Sequence, residues 1–333
     1  MMTRVLLLAD IHANHAALLA AMADASRRYA ALGRLRLWFL GDLFGRGPDA
    51  VLVWNWLNDR APEVVVAGNH DWGVFGLLTT INTLDGRREG QFGRDDHWVI
   101  EQHRLDLMNA GLLVAGQSGL ALAGGPGDER EFGRWPLVRM PAAGVWALHG
   151  GADRAFDWDR REWEIDSDLF AHLWGYVKEP QDVNSTFQVL DGLAANPELL
   201  PTLGEYGMPA RPVLAIVGHL HKRRFAVLTS GGVTCELPVR LDSAYALDVS
   251  ATRRILVSPG SVGFPDQELD LAACYAVLTL DDDRPVSICF HAAPYDVAIT
   301  RERMRSRAYP ESIVRRLSPR GGRAQSLSFP GKS

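Results

Sequence analysis

Val5-Leu6-Leu7-Leu8-Ala9-Asp10-Ile11-His12-Ala13-Asn14 is the stretch on which the fold turns. Five apolar residues run on without alternation, the pattern of a strand covered on both faces, as in a parallel sheet flanked by helices. The run stops at an Asp, with a His two residues further on. The next segment, Ala16 to Met22, is made of good helix formers with few β-branched residues, and Gly33 supplies a stop. Leu35 to Leu40 resumes a strand, Pro48 and Asp49 open a second helix through Val51, Leu52, Trp54 and Leu57, and Val64 to Ala67 follows. The order is β-α-β-α-β.

The ending of the first strand recurs. Apolar runs terminate in Asp10-Ile11-His12, Gly41-Asp42, Gly68-Asn69-His70-Asp71, His149-Gly150-Gly151 and Gly218-His219-Leu220-His221. Each has a plain reading by itself: a capped helix entry, a turn, an Asx turn, a structural His pair. In open α/β sheets, however, the rim beyond the carboxyl ends of the strands is where side chains converge on a ligand. Five coincidences of Asp, Asn and His at that rim point to a shared metal site.

In order, these motifs resemble the D-x-H, G-D, G-N-H-D, H and G-H-x-H signature of the calcineurin-like metallophosphoesterases. Ser258 to Pro265, with its Pro-Gly-Ser-Val-Gly core, and Ala293 to Val297 resemble segments of the bacterial small phosphodiesterases of that superfamily. The resemblance implies an α/β fold, a sandwich of two mixed β-sheets flanked by helices. It also implies that Asp10, His12, Asp42 and His221 hold one divalent ion, that Asp42 bridges to a second, and that Asn69, His149 and His219 complete the second. Nitrogen and oxygen donors without thiolate suit Mn, Fe, Zn, Co or Ni, with Mn favoured here. Two such ions acidify a bridging water for in-line attack on phosphorus. His70 is the implied general acid, with Asp71 orienting its ring and favouring imidazolium. Asn14 is expected either to donate its amide to phosphate or to cap the helix that follows. Arg46, in Gly41-Asp42-Leu43-Phe44-Gly45-Arg46-Gly47, matches the arginine of the G-D-x-x-x-R-G variant and is expected at a phosphate oxygen. His15, His97, His103, His172 and His291 fall outside the motifs and read as ordinary histidines.

The remainder bounds the answer. With 333 residues, 47% hydrophobic and 23% charged, the chain reads as globular rather than fibrous or disordered. No apolar run approaches a membrane span, and no export signal is recognisable at Met1 to Asp10, so a cytoplasmic location is expected. Cys235, Cys274 and Cys289 are too few and too scattered for a disulfide framework. The chain reads as one metallophosphoesterase domain over 1–317, with inserts near 73–141 and 152–211, and a flexible basic tail over 318–333. Within the second insert, Leu169 to Val177 and Phe187 to Leu193 are expected to be helical. The runs Arg254 to Val257, Tyr275 to Leu280 and Val286 to Phe290 are expected as strands of a second sheet.

For function, the resemblance implies a phosphodiesterase acting on small or nucleotide-type phosphodiesters. Dinucleoside polyphosphate or phosphoprotein hydrolysis is the alternative. A nucleic-acid-binding protein or nuclease is a rival of another class, motivated by a net charge of +7 from Arg301 to Ser333. The remainder carries -12 against a total of -5, which opposes binding along a phosphate backbone.

Overall fold

The computed structural model describes residues 1–75, 92–116, 119–122, 135–154, 156, 158, 173–203, 205, 207–265 and 271–318. The N-terminal run forms β1 (Met2–Leu8), followed by α1 (His15–Tyr29), β2 (Arg36–Phe39), α2 (Ala50–Arg60), β3 (Val64–Val65) and the short α3 (Asn69–Val74). Next come α4 (Arg94–Asn109), the hairpin β4 (Leu113–Gly116) and β5 (Gly119–Leu122), then β6 (Val138–Ala142), β7 (Val145–Leu148) and α5 (Pro180–Ala195). The rest of the chain supplies β8 (Leu214–Val217), β9 (Arg223–Thr229), β10 (Thr234–Glu236), β11 (Ala244–Ala246), β12 (Arg253–Pro259), β13 (Ala272–Asp281) and β14 (Arg284–Pro294). The last elements are α6 (Val297–Ser306) and α7 (Glu311–Val314).

Two six-stranded sheets result, in the orders β11-β14-β13-β1-β2-β3 and β10-β9-β12-β8-β7-β6. Both are mixed. In the first, β1 runs parallel to β2 and antiparallel to β13; in the second, β8 is flanked by parallel partners β7 and β12, and β9 runs antiparallel to β12.

The uninterrupted apolar run of β1 is explained by side chains that alternate between two dry environments. Val5 and Leu7 enter the layer between the sheets with Trp38, Val145, Ala147, Leu214, Ile216, Ile255 and Val257. Leu6 and Leu8 face outward under α1 and α2, against Leu18, Ala21, Val53, Trp54 and Leu57. On the far side, Trp146, Leu148, Ala215, Val217 and Leu256 are covered by Val183, Phe187 and Leu190 of α5. Each sheet is thus apolar on both faces, and the site can only open at an end.

Three expectations need correction. Tyr275 to Leu280 and Val286 to Phe290 are strands, but they lie in the first sheet, where β13 pairs with β1 and β14. Only Arg254 to Val257 belongs to the second. Leu173 to Val177 is a turn and a bridge to Gly151 rather than a helix, while 169–172 lie outside the described residues. Phe187 to Leu193 is helical, inside α5. The insert near 73–141 contains α4, whose buried stripe of Val99, Ile100, His103 and Leu107 is too narrow to stand out among its charges. Of the expected tail, 319–333 lie outside the described residues.

Candidate metal centre

The five strand-end motifs meet at one rim because their loops are laced together by backbone hydrogen bonds. Asp10 N donates to Gly41 O at 2.9 Å, His12 N to Asp42 O at 2.9 Å, and Gly218 N to His149 O at 2.7 Å. Asp10, His12, Asp42, His219 and His221 all have positive φ, between 49° and 62°. Left-handed backbone is uncommon for such residues, and each instance costs on the order of 1 kcal/mol or more. Its repetition at these five positions marks a constellation the surrounding structure forces into place. Gly41, at φ 88°, has no alternative: a Cβ there would lie 2.7 Å from both Gly68 N and His149 Nδ1.

Two groups of donors form around one carboxylate. Asp10, His12, Asp42 and His221 can bring one ligand atom each within 4.8 Å of one another, and so can Asp42, His149 and His219. The shared atom is Asp42 Oδ2, 3.5 Å from His12 Nε2 and 3.3 Å from His149 Nε2. Asp42 Oδ1 accepts from His70 N at 2.9 Å. Asp10 is 3.4 Å from His221 Nε2 and accepts from His219 N at 3.1 Å.

The tautomers identify what the groups are built to hold. His12 Nδ1 donates to Phe44 O, His149 Nδ1 to Leu40 O, and His221 Nδ1 to Phe264 O, at 2.9, 2.8 and 2.6 Å. His12 and His221, neutral, therefore each present an Nε2 lone pair inward, whereas His149, carried above neutral by Asp42, holds a proton on Nε2 that an ion would replace. Yet His12 Nε2 faces His221 Nε2 at 3.0 Å, and His149 Nε2 faces His219 Nδ1 at 3.1 Å. The opposed lone pairs of His12 and His221 repel, and a cation between them would turn repulsion into ligation, while the His149–His219 contact is a hydrogen bond that an ion would replace. Asn69 Oδ1 is buried without a hydrogen-bond partner, as a ligand oxygen would be. The donor set fits two divalent ions.

The proton affinities are in conflict in the same way. Burial pushes the Asp10 carboxyl up to about 8, with the Asp42 charge adding to it against the pull of His149. Burial would also raise Asp42, but His149, His70 and His12 hold it well below the usual carboxylate range. Burial pulls His149 down, and Asp42 and Asp10 overcome this to carry it up to about 9. For His12, His219 and His221 burial prevails and keeps the imidazoles neutral. Divalent cations would replace the protons that this crowding otherwise demands.

The remaining expected residues divide. Arg46 reaches the site, with Nη1 3.3 Å from His221 Nε2 and Nε 3.8 Å from Asp96. The 3.2 Å approach to Nδ1 is contact only, since that nitrogen already donates to Phe264 O. His70 is buried beside His12, ring centroids 4.9 Å apart, and burial draws its imidazole down to about 4 against the opposing charge of Asp42.

Asp71 does not orient His70. Its carboxylate accepts from Asp42 N at 2.8 Å, Gly68 N at 2.9 Å and Phe44 N at 3.1 Å, and His70 Nδ1 has no partner. Asp71 is a clamp on the two loops that carry Asp42 and Asn69. Of the two roles expected of Asn14, the structure shows the helix cap. Its Oδ1 caps α1 through Ala17 N and accepts from Thr300, and its Nδ2 is spent on Gly263 O and Tyr295 Oη, at 0% exposure. Both roles need partners distant in sequence.

Other residues support the site, two of them, His103 and Asp96, outside any motif. His103 is fully buried beneath the Asp42 loop, accepting from Gly45 N at 3.1 Å and donating to Gly47 O at 2.8 Å. Asp96 lies between Arg46 and Arg316. The Pro-Gly-Ser segment supports both ends of the first donor group: Ser261 Oγ donates to Asp10 O at 2.8 Å, and Phe264 O fixes His221.

Residues 3–223 match the family model described as calcineurin-like phosphoesterase. A 115-residue stretch is 30% identical to the symmetrical bis(5'-nucleosyl)-tetraphosphatase of Chromobacterium violaceum. That stretch is 30% of this chain and 41% of the relative, so this chain spans less than half the length of the relative it matches. The fold is similar to that of a metallophosphoesterase from Sphaerobacter thermophilus, with a TM-score of 0.58 at 22% identity over 95% of this chain and 98% of the other. A hypothetical protein of Pyrococcus horikoshii gives a TM-score of 0.56 at 16% identity over 96% and 99%. At these identities the likeness concerns the fold.

Proposed function

The chain belongs to the calcineurin-like phosphoesterase family, and on that premise we propose that it is a phosphodiesterase of small or nucleotide-type phosphodiesters that works with two divalent transition-metal ions, Mn favoured. The observation that carries this reading is Asp42, shared by two groups of donors, with the Nε2 lone pairs of His12 and His221 opposed in the first. Asp10, His12, Asp42 and His221 would hold one ion, and Asp42, Asn69, His149 and His219 the other. When bound, such a pair supplies a Lewis-acid clamp for phosphoryl oxygens and acidifies water at neutral pH.

The chain's own groups do the rest. A Cβ at Gly45 would lie 2.3 Å from His70 Nδ1, so this nitrogen faces backbone and Nε2 is left for the leaving oxygen, where His70 would serve as the acid once bound phosphate charge offsets the burial that holds its imidazole at about 4. Arg46, its Nε without a hydrogen-bond partner, offers a planar fork to a phosphate oxygen. Asp71 keeps the Asp42 and Asn69 loops in register.

Hydrolysis of dinucleoside polyphosphates is the second reading. It is favoured by Arg46 beside His221 and by the tetraphosphatase relative. Three unpaired cysteines accord with the cytoplasmic location we assign, and among the described residues no helix is long and apolar enough to cross a membrane.

The test is to strip the protein with chelator, restore Mn and compare bis-p-nitrophenyl phosphate, p-nitrophenyl phosphate and diadenosine tetraphosphate. A kcat/KM highest for the diester and dependent on Mn is expected. Preference for the tetraphosphate would move the assignment to the second reading, and metal-independent turnover would overturn both.

A further inference from the structure

Three of the four histidines of the centre have their rings fixed from behind by a carbonyl: Phe44 O for His12, Leu40 O for His149 and Phe264 O for His221. His219 differs. Among the described residues no carbonyl receives a ring nitrogen of His219. Its imidazole lies instead against the phenol ring of Tyr176, with centroids 4.0 Å apart and planes at 28°. The Lys178 ammonium sits 4.6 Å from the centroid of that same phenol ring.

We propose that Tyr176, which lies outside every motif, is the positioning residue for His219, doing by stacking what a backbone carbonyl does for the other three rings. The proposal rests on the assignment of His219 as a metal ligand and gives the insert near 152–211 a task.

The local structure is built to hold this ring. Gly151 and Gly175 form an antiparallel bridge, with Gly151 N donating to Gly175 O at 3.1 Å, so the segment before Tyr176 is sewn to the His149 loop. A Cβ at Gly150 would come within 2.6 Å of Trp174 Cα, so that approach requires glycine. Trp174 packs edge-on to Trp72 of α3 at 5.2 Å. The segment after Tyr176 is tied by Arg224, 5% exposed, whose guanidinium donates to Val177 O and Glu179 O. Asp182 Oδ2 accepts from Lys178 N and Glu179 N at 2.7 Å each.

Arg224 leaves the sequence three residues after His221. The loop that carries the histidine pair runs directly into β9, whose Arg224 anchors the segment that carries Tyr176. Tyr176 remains 42% exposed, so its ring is held by stacking and by the tethered backbone on either side, not by engulfment in a core. A ring stacked on a ligand limits rotation about χ1 and χ2 of that ligand. Partners that orient metal-bound histidines typically alter metal affinity by about 10- to 100-fold when removed.

The experiment is equilibrium dialysis of Mn against the full-length, chelator-stripped protein and its Tyr176→Phe and Tyr176→Ala variants. Thermal unfolding of each stripped protein is measured in parallel. Stacking needs the ring and not the hydroxyl, so Tyr176→Phe is expected within about twofold of wild type for both ions. Tyr176→Ala is expected to weaken one of the two ions by about 10-fold, to leave the other within about twofold, and to leave unfolding of the stripped protein unchanged.

Undiminished binding of both ions by Tyr176→Ala would overturn the proposal. Equal weakening in Tyr176→Phe would also overturn it, by assigning the effect to the hydroxyl. Equal loss of both ions together with earlier unfolding would reduce Tyr176 to a scaffold residue. A wild-type chain that binds no Mn would instead refute the metal centre itself.

Discussion

Replacing Asp71 separates two ways in which a buried carboxylate can serve a site. Its side chain is 0% exposed and accepts three backbone N–H bonds, from Asp42, Gly68 and Phe44. A buried donor left without a partner costs about 1–3 kcal/mol. Asp71→Ala orphans all three, about 3–9 kcal/mol, which is comparable to the whole stability of a typical domain at about 5–15 kcal/mol. Asp71→Asn is milder. Its one carbonyl oxygen can keep the Asp42 and Gly68 bonds, so only the Phe44 N–H is lost, at about 1–3 kcal/mol.

Urea unfolding of the stripped protein measures this cost, and the same substitution in a His70→Asn background tests its route. If Asp71 clamps the loops, Asp71→Asn destabilises both backgrounds by the same amount and lowers Mn affinity in both. If Asp71 worked through the His70 ring, the unfolding midpoint would stay put. The substitution would move only the pH profile of kcat, and it would be silent once His70 was gone. That second pattern would refute the reasoning from the hydrogen bonds.

Asp42→Asn should reduce bound Mn from two ions per chain to no more than one, because a neutral amide oxygen cannot serve both donor groups; retention of two ions by mass spectrometry under native conditions would contradict a shared ligand. Asn14→Ala removes a helix cap worth about 1 kcal/mol and strands the Gly263 and Thr300 partners. It should lower the unfolding midpoint while leaving KM of the folded enzyme unchanged, and a raised KM would restore Asn14 as a phosphate contact.

Asp24 provides a pH test away from the metals. Burial would raise its carboxyl, but hydrogen bonds from Tyr275, Arg28 and Arg27 outweigh that and hold it below the ordinary value. A depressed carboxylate contributes stability above its unfolded pKa of about 3.9 and loses it as pH falls through the folded value. Asp24→Asn should therefore lower stability at pH 7 and flatten its decline below about pH 4; an unchanged acid limb in urea unfolding would count against it.

The sequence by itself determined which residues stand at the rim. An apolar run that stops at Asp10, or at Gly218 before His219, encodes both the strand and the position of the donor side chain at its end, because strand pattern and strand end are local properties. The alternation that sends Val5 and Leu7 one way and Leu6 and Leu8 the other is local too.

Tertiary structure alone decided which atoms meet. That β13 and β14 join the first sheet depends on hydrogen bonds to β1 across more than 260 residues, and both candidate sheets would present the same apolar strands. From the sequence, Asp71 is expected on His70 by resemblance, and Asn14 stays open between a phosphate contact and a helix cap. Their hydrogen bonds go to Phe44, Gly68, Gly263 and Tyr295, which the folded loops bring close. Tyr176 on His219, or His103 under Gly45, has no period and no motif. Such contacts exist only because separate loops are packed against one rim, and a pattern read along one strand carries no information about its neighbours in space.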